Sequence, residues 1–168
     1  MDERILTEEK CKVLSKSKYD GDYIFAFDNI ADKELIENKL TMWKKYVSKT
    51  TKFYVLCGFD RNEKYNEQFW KQDLIDTFER IKTLMFYKCL PYIMRFNKYE
   101  ESPYKGTYIN LARWCNQPNF LKKKSYRQFC EANQDIVKNN KECCTIKYMR
   151  KLENKYPEIA NQYFDMKW

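Results

Sequence analysis

Histidine is absent from the 168 residues, and this absence limits the chemistry that the chain could carry out. Histidine is the commonest general base and metal ligand, and it activates serine and cysteine nucleophiles. The seven cysteines include no CxxC or CxxxC pair, the close spacing that metal and cluster sites use. The sequence therefore predicts no catalytic residue and no metal site, and it predicts thiols that stay reduced in the cytoplasm.

Five other residues have types and positions that suit ligand binding, because each lies at or just past the end of an apolar segment. They are Asp28, Asn29, Gly58, Asp60 and Arg95. Ligands of α/β proteins bind at the carboxyl ends of parallel strands, so these residues are the candidates for a small-molecule site. The alternative is structural, with Asp28 and Asp60 capping turns and Arg95 pairing with one of them.

The strands that would position these residues are predicted at 23–27, 53–57 and 92–96. Each segment is apolar on both faces, which is typical of parallel strands covered on both sides. Helical periodicity over 32–47 and about 73–88 separates them. The order βαβαβ predicts a parallel sheet with right-handed crossovers.

Beyond Phe96 the pattern predicts helices alone, over 106–117, 125–132, 145–156 and 157–164. We therefore expect one compact domain of class α/β, in which residues 1–100 form a half-barrel-like layer with a short N-terminal helix capped by Thr7, and residues 101–168 form a basic helical extension packed on it. Three parallel strands cannot close a barrel, so the fold would be a partial (β/α) barrel. Its open sheet edge must be covered by the C-terminal helices or by a second chain, such as the other copy in a homodimer.

The net charge of +8 is concentrated in the last third of the chain. Residues 102–130 contain no Asp or Glu and carry six basic side chains among six aromatic rings. Basic groups interleaved with rings are what RNA or DNA binding requires, through phosphate contacts and base stacking. The alternative is a solvated lysine loop beside buried aromatic rings.

One face of the predicted helix 106–117 suits recognition, because its side chains combine a guanidinium, amides and an indole ring. With the basic residues that follow, the candidates for partner binding are Asn110, Arg113, Trp114, Gln117, Lys122, Lys123, Lys124 and Arg127. The helix stripe could equally pack beneath the C-terminal helices. No apolar run approaches the length of about 20 residues that a membrane helix needs, and the acidic start is unlike a secretion signal, so we expect no membrane contact.

Five short blocks occur in the order found in a known family. They are 4–10 (RILTEEK), 25–29 (FAFDN), 53–59 (FYVLCGF), 92–95 (YIMR) and 112–117 (ARWCNQ). Over residues 3–130 the chain thus resembles the C-terminal half of radical S-adenosylmethionine (radical SAM) proteins, most closely a subgroup from phages and mobile elements. The resemblance implies a barrel fragment whose strand ends face cofactor and substrate.

The cluster loop of that family, CxxxCxxC, is missing from this sequence. The three thiolates of that loop hold the [4Fe-4S] cluster that binds SAM, so the fragment alone is not expected to start radical chemistry. We therefore expect a non-catalytic protein that binds a protein or nucleoprotein, with an inhibitor of a host defence nucleoprotein, of the anti-CRISPR type, as the most concrete form. The alternative is one half of a split radical SAM enzyme, whose partner chain supplies the cluster.

Overall fold

The computed structural model describes residues 2–132 and 142–168, which form an α/β fold on a three-stranded parallel sheet. In sheet order the strands are β1 (Tyr23–Ala26), β2 (Thr51–Cys57) and β3 (Leu90–Arg95). Phe25 of β1 lies opposite Phe53 of the central strand. The predicted class and the three parallel strands are confirmed.

Helices make up most of the rest of the described chain. The α-helices are α1 (Glu8–Lys16), α2 (Lys33–Lys44), α3 (Glu67–Phe86), α4 (Lys105–Cys115), α5 (Pro118–Leu121), α6 (Tyr126–Glu131), α7 (Cys144–Lys155) and α8 (Pro157–Ile159). A π-helical turn, Ala160–Phe164, follows α8. Side chains cap several of these helices: Thr7 caps α1, Asn66 caps α3, and Ser125 forms a capping box with Gln128 at α6. The predicted helical extension after β3 is confirmed.

The two faces of the sheet differ in burial, which corrects the expectation that the strands are covered on both sides. Phe25, Phe53 and Val55 point to the helical side and are at most 1% exposed. On the other face, Tyr54 and Tyr92 remain 39% and 44% exposed. Parallel sheets are usually covered on both faces. In the described part of the chain, this sheet is covered on one.

The outer edge of β3 is closed by a side chain from the end of α4. Asn116 accepts a hydrogen bond from the backbone N–H of Ile93 (2.7 Å) and donates one to its carbonyl oxygen (3.1 Å). The amide thus takes the place of a neighbouring strand at this position. The sequence predicted that the sheet edge is covered either by the C-terminal helices or by a second chain. At β3, the C-terminal part of the chain covers it.

The sheet layer and the helical extension share one aromatic core around the middle of α3. The Phe78 ring stacks on Tyr163 at a centroid distance of 5.4 Å and meets the edge of Tyr126 at 5.5 Å. Phe164 lies 5.7 Å from the same ring. Because such rings bury about 150–250 Å² each, apolar burial is a large part of what holds the extension to the layer.

Candidate functional site

A cleft of about 610 Å³ lies at the carboxyl ends of β1 and β2, between these strands and α3. Its ionisable and amide side chains include Asp28, Asn29, Arg61, Asp73, Asp76 and Arg80, and its apolar wall includes Phe59 and Phe69. This is the edge at which the strand ends predict ligand binding. Carboxylates and guanidinium groups both line the cleft.

Arg80 is the most unusual residue of the cleft, because its guanidinium is 2% exposed. Nη1 donates to three backbone carbonyls, those of Phe27 (3.0 Å), Asp28 (2.8 Å) and Leu56 (2.9 Å). Burial lowers the pKa of Arg80, and the negative charge of nearby Asp73 opposes this effect. Arg80 therefore ties the ends of β1 and β2 to α3 and forms the floor of the cleft.

Asp73 shapes the turn that follows β2. Its Oδ2 atom accepts hydrogen bonds from the backbone N–H of Gly58 (2.9 Å) and from the hydroxyl of Tyr108 (2.6 Å). Burial raises the pKa of Asp73, and the two hydrogen bonds counteract part of that rise. Gly58 has a φ of +73°, and an added Cβ would lie 3.1 Å from the Cβ of Tyr99. Gly58 is thus required by the conformation of the turn.

Two of the five predicted ligand residues line the cleft, and both also hold local structure. The Asp28 carboxylate accepts a hydrogen bond from the N–H of Leu56 (2.9 Å), and the Asn29 amide oxygen accepts one from the N–H of Ala31 (3.0 Å). Asp28 remains exposed beyond this contact. These two residues are therefore both turn-forming and available at the cleft rim.

The other three predicted ligand residues do not line the cleft. Asp60 caps its own loop, accepting hydrogen bonds from the backbone N–H groups of Asn62 (3.1 Å) and Lys64 (2.7 Å). Arg95 stacks on the ring of Tyr99 at 4.6 Å. The structural alternative is therefore found for Asp28 and Asp60, whereas the suggested pairing of Arg95 with an aspartate is wrong.

Four charged residues of the cleft were not predicted from the sequence: Arg61, Asp73, Asp76 and Arg80. A signal for two of them exists, because Asp73, Thr77 and Arg80 are spaced i, i+4, i+7 on α3. This polar line lies directly beside the apolar stripe that marks the buried side of the helix. Charged residues on the buried side of a long helix indicate a buried polar site.

The recognition stripe predicted on the helix 106–117 is partly wrong, because two of its four residues are buried. The indole of Trp114 is fully buried and donates from Nε1 to the carbonyl of Lys124 (2.9 Å). Asn110 is 3% exposed and donates to the carbonyl of Thr145 (3.1 Å). Both residues pack beneath the later helices, the alternative that the sequence left open. Arg113 and Gln117 are exposed.

The basic residues after α4 differ in how accessible their charges are. Lys122 and Lys123 are exposed and Lys124 is half-buried. Arg127 forms ion pairs with Glu153 (2.8 Å) and Asp165 (3.1 Å), and these partners raise its pKa. Arg127 is therefore occupied by contacts within the chain.

The stacking surface predicted for residues 102–130 is not formed. The rings of this segment that are at most 2% exposed are Tyr104, Tyr108, Trp114, Tyr126 and Phe129. Phe120, the sixth ring, is half-buried. The alternation of basic and aromatic residues is therefore the alternation of surface and core positions on short amphipathic helices.

Comparisons with known proteins leave the site to be interpreted from its own geometry. No protein-family model, no curated protein and no solved structure matches the chain. Within residues 2–132 and 142–168, no three His, Cys, Asp or Glu side chains are grouped so as to hold a metal ion. In the same residues, no helix has the length and apolarity needed to cross a membrane.

Proposed function

We propose that the protein is a non-catalytic binding protein that docks a protein partner on the open face of its sheet. The observation that carries this proposal is the exposure of Tyr54, Tyr92 and Met94, at 39%, 44% and 44%. These residues lie on adjacent strands, with Tyr54 opposite Tyr92 and Leu56 opposite Met94. Their side chains form one continuous apolar surface.

The composition of this face favours a protein over a nucleic acid. Tyr54 and Tyr92 meet edge to face at 5.6 Å, and tyrosine and methionine are enriched in the centres of protein interfaces. The single charged residue of the face on β2 is Lys52, which is paired with Asp22 at 2.5 Å. A surface with so little unpaired positive charge gives phosphate groups little to bind.

The apolar face also extends past the strand ends toward the cleft. Phe59, which is 47% exposed, meets Phe96 edge to face at a centroid distance of 5.0 Å. Phe59 also lines the cleft itself. Contiguous apolar patches of this kind on soluble proteins usually mark a binding surface.

The resemblance to half of a radical SAM barrel supports the same proposal. In a (β/α) barrel the helices surround the strands and the inner face is packed in the interior. A half-barrel has that inner face exposed, as this sheet does, and a partner would cover it. We extend the proposal to a cytoplasmic inhibitor of a host defence nucleoprotein, of the anti-CRISPR type, on the strength of the resemblance to phage and mobile-element proteins.

A second candidate function uses the same open face with a different partner. The cleft at the strand ends, with Asp28 and Asn29 at its rim, lies where radical SAM proteins face cofactor and substrate. This observation favours one half of a split radical SAM enzyme, in which a companion chain with CxxxCxxC supplies the [4Fe-4S] cluster and binds SAM with it. The two candidates differ in whether the completed assembly is a catalyst.

A substitution on the open face tests the docking proposal. We expect Met94→Lys to weaken binding to, and inhibition of, purified CRISPR effector ribonucleoproteins by roughly 5- to 30-fold, because a partly exposed apolar side chain that is buried on docking stabilises the complex by about 1–2 kcal/mol. Leu35→Lys is the matched control, because Leu35 of α2 is 41% exposed and lies off the sheet. Both variants should keep the melting temperature of the original protein.

Three outcomes separate the candidates. A loss confined to Met94→Lys supports the inhibitor, whereas equal binding by both variants contradicts docking on this face. Co-expression with a CxxxCxxC chain, followed by anaerobic cluster reconstitution, tests the split enzyme. A brown complex that cleaves SAM would establish that enzyme and overturn the non-catalytic proposal.

A further inference from the structure

A second surface, at the opposite end of the sheet from the cleft, combines positive charge with the exposed ring of Phe86 and the half-buried ring of Trp168. It lies where α3 ends and β3 begins, and it surrounds a groove of about 450 Å³. We call it the lysine–aromatic patch and define it as Lys82, Phe86, Lys88, Lys122, Lys167 and Trp168.

The lysines of the patch form no ion pairs with Asp or Glu side chains of the described residues. No Asp or Glu side chain lines the groove among the described residues, and none of the four lysines forms an ion pair with one of these residues. Glu79, one turn before Lys82, is already bound by Lys33 (2.6 Å) and by the hydroxyl of Tyr163 (3.0 Å). The positive charge of the patch is therefore available to a ligand.

The lysines are arranged around the ring of Trp168. The Nζ atoms of Lys88 and Lys122 lie 5.5 Å and 5.6 Å from its centroid, although the two residues are far apart in the sequence. Both side chains are exposed, so their ammonium groups are open to solvent beside this ring. Such an arrangement places two positive charges beside one flat aromatic surface.

Phe86 provides a second ring at this surface. It is 79% exposed, the highest value among the large apolar side chains that the structure describes. Its ring contacts Tyr87 edge to face at 5.1 Å. A phenylalanine exposed to this extent contributes little to the core, and its ring is open to a ligand.

We propose that the lysine–aromatic patch binds single-stranded nucleic acid. Lysine ammonium groups bind backbone phosphates, and exposed rings accept unpaired bases by stacking, which is the combination that single-strand binding uses. A duplex would keep its bases away from Phe86, and neither poly-glutamate nor an anionic membrane offers a flat ring to stack. The groove volume lies within the range of about 300–1,000 Å³ found for pockets that hold small organic groups.

The lysine–aromatic patch is a different surface from the proposed docking face, and nucleic-acid binding there does not depend on docking. The patch lies apart from most of the segment 102–130, in which five of the six rings are buried in the core. Lys122 is the one residue of that segment that we assign to the patch. If both proposals hold, the protein presents one face to protein and another to nucleic acid, as binding a nucleoprotein would require.

Fluorescence anisotropy of labelled single-stranded oligo(dT) and oligo(U), of about 12 nucleotides, tests the patch on the whole chain. We expect Phe86→Ala to weaken binding by at least about fivefold, because stacking on an aromatic ring contributes that much per base. The triple variant Lys82→Glu/Lys122→Glu/Lys167→Glu should reduce the slope of log K against log salt by about 2. A control triple, Lys16→Glu/Lys64→Glu/Lys147→Glu, changes the net charge equally at exposed lysines elsewhere.

Equal losses from the two triple variants would show diffuse attraction to a basic protein and would overturn the assignment. An unchanged affinity in Phe86→Ala would exclude stacking at this ring. The proposal is also overturned if a duplex of the same length, poly-glutamate or phosphatidylserine vesicles bind more tightly than the single strands. These measurements use the isolated protein and oligonucleotides, so they can succeed when the Met94→Lys test of the docking face fails.

Discussion

Replacing Arg80 by methionine tests the role assigned to the buried guanidinium at the floor of the cleft. Methionine fills a similar volume and is apolar, so the substitution removes the donors and the charge with little change in packing. Three carbonyl oxygens, those of Phe27, Asp28 and Leu56, would lose the same donor. These carbonyls lie at or just past the carboxyl ends of β1 and β2, so Arg80 joins α3 to the ends of both strands.

The expected cost follows from how many of these carbonyls water can reach. A buried acceptor left without a partner costs about 1–3 kcal/mol, and the Asp28 carbonyl lies at the cleft, where water can replace the donor. Removal of a buried charge offsets part of the remaining cost. We therefore expect Arg80→Met to lower the free energy of unfolding by about 2–4 kcal/mol and the melting temperature by about 4–16 °C.

Urea and thermal unfolding followed by circular dichroism measure both quantities. Arg61→Met is the matched control, because Arg61 lines the same cleft with an exposed side chain and should change stability by less than about 0.5 kcal/mol. If Arg80→Met unfolds at the same urea concentration as the original protein, the carbonyl contacts do not hold the strand ends, and Arg80 does not tie β1 and β2 to α3.

The shifted pKa values of two carboxylates predict that substitutions at these positions change stability in opposite directions. Burial raises the pKa of Asp73, so its ionised form destabilises the fold, and we expect Asp73→Asn to raise the melting temperature at neutral pH. The gain in melting temperature should vanish at pH values below about 3.9, the pKa of an aspartate in the unfolded chain. A melting temperature of Asp73→Asn below that of the original protein at neutral pH would contradict this prediction. Hydrogen bonds from Lys155, Tyr104 and Tyr156 lower the pKa of Glu67 to about 2. We expect Glu67→Gln to be less stable than the original protein at neutral pH. This difference in stability should shrink as the pH falls from about 4.3 to 2. A difference that stays constant over that range would show that these hydrogen bonds do not stabilise the ionised form of Glu67.

The secondary structure followed closely from local patterns. The apolar runs at 53–57 and 92–96 became β2 and β3, because a short run of β-branched and aromatic residues has few alternatives to a strand. Helices formed where apolar residues repeated every three or four positions, and Thr7 and Ser125 set the starts of α1 and α6. These features depend on neighbours within a few residues, which the sequence displays directly.

The candidate site was less accessible to sequence reasoning. Asp28 and Asn29 were found because strand ends can be located, but Arg80 lies 52 residues from the Asp28 carbonyl that it binds. Trp114 has the character of an interface residue in the sequence, yet its indole donates to a backbone carbonyl inside the core. Hydrogen-bond partners that are distant along the chain leave no local periodicity.

Composition and local order were enough to establish an α/β chain with three parallel strands, a helical second part and no histidine chemistry. The folded arrangement of the elements settled which surfaces are exposed, because a strand that is apolar on both faces does not reveal which face the helices will cover. Tyr54 and Phe53 look alike in the sequence, and packing against α3 buries one and leaves the other open. The open sheet face follows from that long-range choice, and the lysine–aromatic patch is likewise assembled from separate parts of the chain.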